Sequence, residues 1–178
     1  MVEINRRLLI VGGAALVLAT GSAMAAEPDL RRLGLAKPPL AIEAPELNIP
    51  DLSGENHRME DYRGKTVVVS FWATWCPPCR KEMPTLANLS RQLDPQDYAV
   101  LAVNVGDPKD KVKSFLDQID HDGLAVLLDM KSELPSKWFI RGLPVTYVLN
   151  GRGQVVYGAI GERVWDAPEM ISGLRLIS

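Results

Sequence analysis

The densest apolar run in the chain, Val67-Val68-Val69-Ser70-Phe71-Trp72, is rich in β-branched and aromatic residues and almost unbroken. A strand with one wet face would alternate apolar and polar positions. This run therefore predicts a strand over Lys65–Trp72 that is covered on both faces, at the centre of a sheet. The period then changes. Met83, Leu86, Leu89 and Leu93 recur at spacings of three and four and predict a helix over Pro77–Leu93. Tyr98–Val105 reads as a second buried strand. Asp107-Pro108 opens a helix carrying Val112, Phe115, Leu116 and Ile119, and Leu124–Leu128 is a third strand. Ser132–Phe139 predicts a short helix. Val145–Leu149 and Gln154–Ile160, joined by Asn150-Gly151-Arg152-Gly153, predict a hairpin, and Asp166-Ala167-Pro168 starts a closing helix through Leu176.

Upstream, Leu47–Leu52 alternates like a half-buried strand and runs into the turn Ser53-Gly54-Glu55-Asn56, the signature of an N-terminal hairpin. Pro28, Pro38, Pro39 and Pro45 break any period before it, so residues 26–44 read as a proline-rich tether. Strands alternating with helices imply an α/β domain over 45–178. Its expected architecture is a central mixed sheet flanked by helices on both faces, with the hairpin as an N-terminal extension.

At the start of the chain, Arg6 and Arg7 precede an apolar run over Leu8–Ala19 and small residues ending in Ala23-Met24-Ala25. That order predicts an export signal over residues 1–25, cleaved after Ala25, and a periplasmic location. The alternative is an uncleaved membrane anchor, against which Gly12, Gly13, Gly21 and Ser22 weigh. Membrane contact is expected only if the segment is retained. No cysteine lies near the cleavage site, so no lipid anchor is expected there. With 20 basic and 22 acidic residues the chain has a formal charge of −2. No basic face emerges, which argues against a nucleic-acid partner.

Export changes how the two cysteines, Cys76 and Cys79, must be read. Structural bridges in oxidising compartments staple distant segments, whereas a bridge closing so short a loop removes little unfolded-state entropy. Chemistry explains the pair better. It sits where a buried strand gives way to a helix, and Pro77 both disfavours helical backbone at Cys76 and suits the first helical turn, so Cys76 is placed as the helix cap. Cys79 lies one turn further in, about 5 Å away, within reach of a disulfide. At the positive end of the helix, with Arg80 and Lys81 nearby, Cys76 is expected to be the exposed, attacking thiolate and Cys79 the buried resolving thiol. Pro77 and Pro78 offer no N–H, so only a moderate lowering of the Cys76 pKa is expected, which suits a reductant.

Other chemistries for the pair differ in what they require. Structural zinc wants four ligands, and His57 and His121 do not follow the pair at finger-like spacing. Covalent haem needs a histidine after the second cysteine, where Arg80 stands. Copper(I) carriage on the two thiolates remains open, as does a binding domain with an inert bridge.

Phe71-Trp72-Ala73-Thr74-Trp75-Cys76-Pro77-Pro78-Cys79, followed by Glu82-Met83-Pro84 and by Gly142-Leu143-Pro144-Val145-Thr146-Tyr147, resembles the thioredoxin-like proteins of the TlpA/ResA type. The resemblance implies a thioredoxin-like fold and a redox-active disulfide between Cys76 and Cys79, with no other cofactor and no metal. It implies an exported thiol-disulfide oxidoreductase that reduces partner proteins and is recharged by a membrane thiol-transfer reductase, in cytochrome c maturation or cytochrome oxidase assembly. Pro144 would be a cis-proline whose loop, with Leu143, offers backbone to substrate. Glu82 would handle a proton beside the pair; the alternative is an exposed helix glutamate. The chain departs from thioredoxin itself at Ser70, where thioredoxin has a buried aspartate, leaving Glu82 as the candidate base. Pro84 is expected to bend its helix. Trp75 reads as an exposed docking residue and Trp72 as core. Trp138 and Trp165 receive no role, and His57 and His121 read as ordinary surface or turn residues.

Overall fold

A computed structural model describes residues 30–177; the expected signal segment lies outside them. In chain order the strands are β1 (Ile42–Glu43), β2 (Asn48–Pro50), β3 (Asn56–Arg58), β4 (Thr66–Trp72), β5 (Tyr98–Val105), β6 (Ala125–Asp129), β7 (Val145–Leu149) and β8 (Gln154–Ile160). The helices are α1 (Pro77–Gln92), α2 (Lys109–Leu116), α3 (Leu134–Lys137) and α4 (Pro168–Leu174). Six strands form one mixed sheet in the order β1-β8-β7-β4-β5-β6, with β2 and β3 paired as a separate ribbon. The thioredoxin-like arrangement and the N-terminal hairpin are both present.

Every residue of β4 is buried, as a strand with partners on both edges and layers on both faces must be. It runs parallel to β5 and antiparallel to β7. Val68 and Trp72 face an apolar layer built with Met83, Leu86 and Leu89 of α1, Val112 and Phe115 of α2, and Leu174 of α4. Val67, Val69 and Phe71 face the opposite layer, with Leu134, Trp138 and Leu47. Helices thus cover both faces unequally, three on one and the single turn α3 on the other. Trp72, Trp138 and Trp165 are all core, whereas Trp75 is 64% exposed.

The stretch assigned to a tether is docked from Leu30 onward. Leu30 and Leu35 are buried, and Leu30 packs so closely on Gly173 of α4 that a Cβ there would fall 2.1 Å from its Cδ2. Ala36 and Gly158 exchange backbone bonds of 2.7 and 2.8 Å, and β1 pairs with β8. The prolines report an irregular path, but the outer side of β8 offers unpaired backbone that such a path can satisfy. His57 also departs from a plain surface residue: its Nδ1 shares a 2.5 Å hydrogen bond with Tyr62 Oη, and its Nε2 lies 3.4 Å from Asp51 Oδ2.

Candidate active site

Strand register brings four loops to one end of the sheet. Trp72, the last residue of β4, stands opposite Asn104 near the end of β5, while Phe71 stands opposite Val145, the first residue of β7. Val145 in turn pairs with Ile160 at the end of β8. The turn over 73–76, the loop after β5, the Leu143–Pro144 approach and the loop after β8 therefore leave the sheet together.

Cys76 and Cys79 form a disulfide, S–S 2.04 Å and Cα–Cα 5.3 Å. Cys76 caps α1 with extended backbone, and Pro77 and Pro78 occupy the first helical positions. Cys79 brings the first amide N–H of the helix, and it points at Cys76 Sγ from 3.3 Å. A helix start ordinarily offers several such donors to an anion. With Pro77 and Pro78 in the first two helical positions, Cys76 Sγ faces fewer. The expected exposure of Cys76 is not found: both sulfurs are buried, Cys76 at 4% exposure and Cys79 at 0%, because the disulfide tucks Cys76 against the helix start. Accessibility at this site comes from its edge, beside exposed Trp75 and Pro77. The two nearby cations are partly engaged elsewhere. The Arg80 guanidinium lies 5.2 Å from the Phe115 ring centroid, and Lys81 Nζ lies 3.9 Å from Glu162 Oε2.

Glu82 projects from α1 one turn after Cys79, on the same helix face. It is 2% exposed, so the surface-glutamate alternative does not hold. Ser70 Oγ donates to its Oε1 at 2.9 Å, and the Arg163 amide donates to its Oε2 at 3.1 Å. Burial pushes the Glu82 carboxyl above its ordinary range, against the pull of those two donors. A cleft of about 320 Å³ lined by Lys81, Glu82, Thr85, Glu162, Arg163 and Val164 opens beside it. Ser70, unable to act as a base, is thus the hydroxyl that orients the one carboxyl that could.

The Leu143–Pro144 bond is cis, and the Pro144 carbonyl accepts the Gly161 amide at 2.9 Å. Pro84 lies inside α1. Among the described residues, no cluster of three or more His, Cys, Asp or Glu side chains could hold a metal ion.

One buried group escaped the sequence reading. Asp107, noted there only as a helix start, is 3% exposed. Its Oδ2 accepts the Thr74 amide at 2.7 Å and Asn104 Nδ2 at 3.1 Å, and its Oδ1 accepts Lys111 Nζ at 2.8 Å. Burial raises this carboxyl, but Lys111, the Thr74 amide and Asn104 outweigh it and hold it below the ordinary carboxylate range. The available signal was an acidic residue directly after a buried strand, at the end where the cysteines emerge.

Comparison with known proteins agrees with this geometry. The thiol-disulfide oxidoreductase ResA of Geobacillus kaustophilus (strain HTA426) is 38% identical over 114 residues, covering 63% of this chain and 64% of that protein. ResA of Bacillus subtilis (strain 168) is 34% identical over 114 residues, 64% of this chain and 63% of that protein. The matched part thus spans just under two thirds of these curated relatives. Among solved structures, a Chlorobium tepidum protein assigned as the thiol:disulfide interchange protein DsbE superposes with a TM-score of 0.68 at 26% identity. That match covers 79% of this chain and 99% of that one. The AhpC/TSA family profile matches residues 41–158, and the chain belongs to that family.

Proposed function

We propose that this protein is an exported thiol-disulfide oxidoreductase that reduces disulfides of partner proteins through Cys76 and Cys79. The observation that carries the reading is the disulfide at a helix start: Cys76 caps the helix between exposed Trp75 and Pro77, and Cys79 lies one turn behind it within bonding distance.

In the reduced protein, the Cys76 thiolate attacks one sulfur of a partner disulfide. A Cys76–partner bond forms, and the other partner sulfur leaves as a thiolate that takes up a proton. Cys79 then gives up its proton and attacks Cys76 Sγ. The Cys76–Cys79 bond forms, the mixed bond breaks, and the partner departs carrying two electrons. Glu82 is the base for the Cys79 proton, because it lies one helical turn away and burial raises its carboxyl above the ordinary range, which makes it a stronger base than an exposed glutamate. The cleft beside it gives that proton a way out. Trp75, Leu143 and Pro144 form the docking edge, since strand register places them at the same end of the sheet as the disulfide. A membrane thiol-transfer reductase returns the pair to the dithiol.

Periplasmic location rests on the Arg6–Ala25 pattern. The setting in cytochrome c maturation or cytochrome oxidase assembly rests on the TlpA/ResA resemblance. The decisive experiment is Cys79→Ser expressed in the exporting cell, which should accumulate mixed disulfides through Cys76. A variant that traps no partner, with wild-type protein inert toward insulin, overturns the reading.

A further inference from the structure

Asp107 is a buried carboxylate tied directly to the loop that bears Trp75 and Cys76. Thr74, whose amide it accepts, is two residues from Cys76, no more than about 7 Å of chain. The turn itself is closed by the Cys76 amide donating to the Ala73 carbonyl at 3.2 Å. The bond from Thr74 to Asp107, 33 positions along the chain, anchors that turn to the neighbouring strand.

The anchor is itself held on rigid elements. Gly106 adopts φ +79, and a Cβ on it would fall 2.6 Å from Ser132 Oγ. The Gly106 amide donates to the Asp129 carbonyl at 2.9 Å, fixing the loop to the end of β6. The Asp107 amide donates to Asn104 Oδ1 at 3.2 Å, and Asn104 stands opposite Trp72 in the sheet. The carboxylate is therefore placed by the ends of β4, β5 and β6 rather than by a free loop.

We propose that Asp107 is a positioning residue for the redox pair: its grip on the Thr74 amide fixes the turn that presents Trp75 and Cys76, while Lys111 cancels its charge behind the nucleophile. This rests on the thiol-exchange reading above and adds a group to it. Its electrostatic half makes a signed claim. Removing Lys111 leaves an uncompensated anion near Cys76 and disfavours the thiolate, whereas neutralising Asp107 leaves a cation and favours it.

The experiment follows thiolate formation at Cys76 in the reduced protein as pH rises, alongside insulin reduction and circular dichroism. Asp107→Ala should reduce insulin about ten-fold more slowly while keeping its fold. Asp107→Asn, which still offers Thr74 an acceptor, should recover most of that rate. Lys111→Met should move the Cys76 titration to higher pH and Asp107→Asn to lower pH, a pair of opposite shifts that a scaffold role alone does not produce. A folded Asp107→Ala with the wild-type rate overturns the proposal, and so do titrations that move in the same direction. If Asp107→Ala does not fold, the two titrations decide. If wild-type protein leaves insulin intact, the thiol-exchange reading falls, and the titrations still judge the anchor.

Discussion

Glu82 and Asp107 lie at the same end of the sheet and are buried alike, at 2% and 3% exposure, yet their carboxyls are displaced in opposite directions. The difference lies in what replaces the lost water. Around Glu82 the main replacements are a serine hydroxyl and one backbone amide, with weaker pulls from the Trp165 side chain and the Arg163 cation, and together they do not offset burial. Around Asp107 they include the Lys111 ammonium, which is itself half in solvent, together with a backbone amide and a side-chain amide. Burial alone therefore does not set a carboxyl's state. With no cation bonded directly to it Glu82 keeps a raised carboxyl, and the Lys111 ammonium bonded to Asp107 leaves that group an anion suited to holding backbone.

This contrast can be broken from either side. Asp107→Ala leaves the Thr74 amide and Lys111 without their acceptor and should lower unfolding stability by about 3 kcal/mol, at the mild end for a broken buried pair because Lys111 reaches water. Urea unfolding measures it, and a loss below half that size would mean that the bonds to Asp107 contribute little to holding the fold. Glu82→Gln should leave the unfolding midpoint nearly unchanged, since an amide oxygen can still accept from Ser70 or Arg163. It should slow partner reduction about a hundred-fold, in the range of a lost general base; stopped-flow kinetics with unchanged rates would remove Glu82 from the mechanism.

Ser70→Ala sharpens the comparison by taking away the hydroxyl that favours ionised Glu82. It should cost about 1 kcal/mol in stability and shift the pH profile of the Cys79 step upward. A downward shift would mean the hydroxyl acts on something else. The smallest effect is the sign of stability against pH. Glu82, raised above its ordinary 4.5, holds its proton longer in the folded protein, so it contributes a loss of stability as pH rises above that value. Asp107, lowered from 3.8, contributes a loss as pH falls below that value. Comparing unfolding curves across pH for Glu82→Gln and Asp107→Asn should flatten the upper and lower windows respectively.

How much of this was readable in the residues depends on the range of the interaction. The unbroken Val67–Trp72 run reports burial on both faces because each position carries its own apolar character, and Cys76-Pro77-Pro78-Cys79 reports a capped helix because its constraints are local. The bonds from Ser70 to Glu82 and from Thr74 to Asp107 join side chains and backbone that periodicity cannot pair. Ser70 and Glu82 are linked in the sequence by the role one cannot fill and the other can, but their hydrogen bond lies between a strand and a helix and leaves no periodic trace. Asp107 reads as a helix start, but the helix is capped at Pro108 and begins at Lys109, leaving the Asp107 carboxylate free to bond Thr74. The docking of Leu30 and Leu35 was hidden for the same reason: prolines mark where regular structure stops, not which open backbone lies within reach.

That docked segment bears on solution behaviour. A sheet margin with free amides and carbonyls recruits strands from other molecules. Here β1 is only two residues long, and at the far side Asp51 bridges to Leu127 on the outer strand. The amino-terminal strap thus occupies the β8 margin, and a chain shortened to begin at Pro45 would lay that backbone open and should self-associate more readily than the full chain.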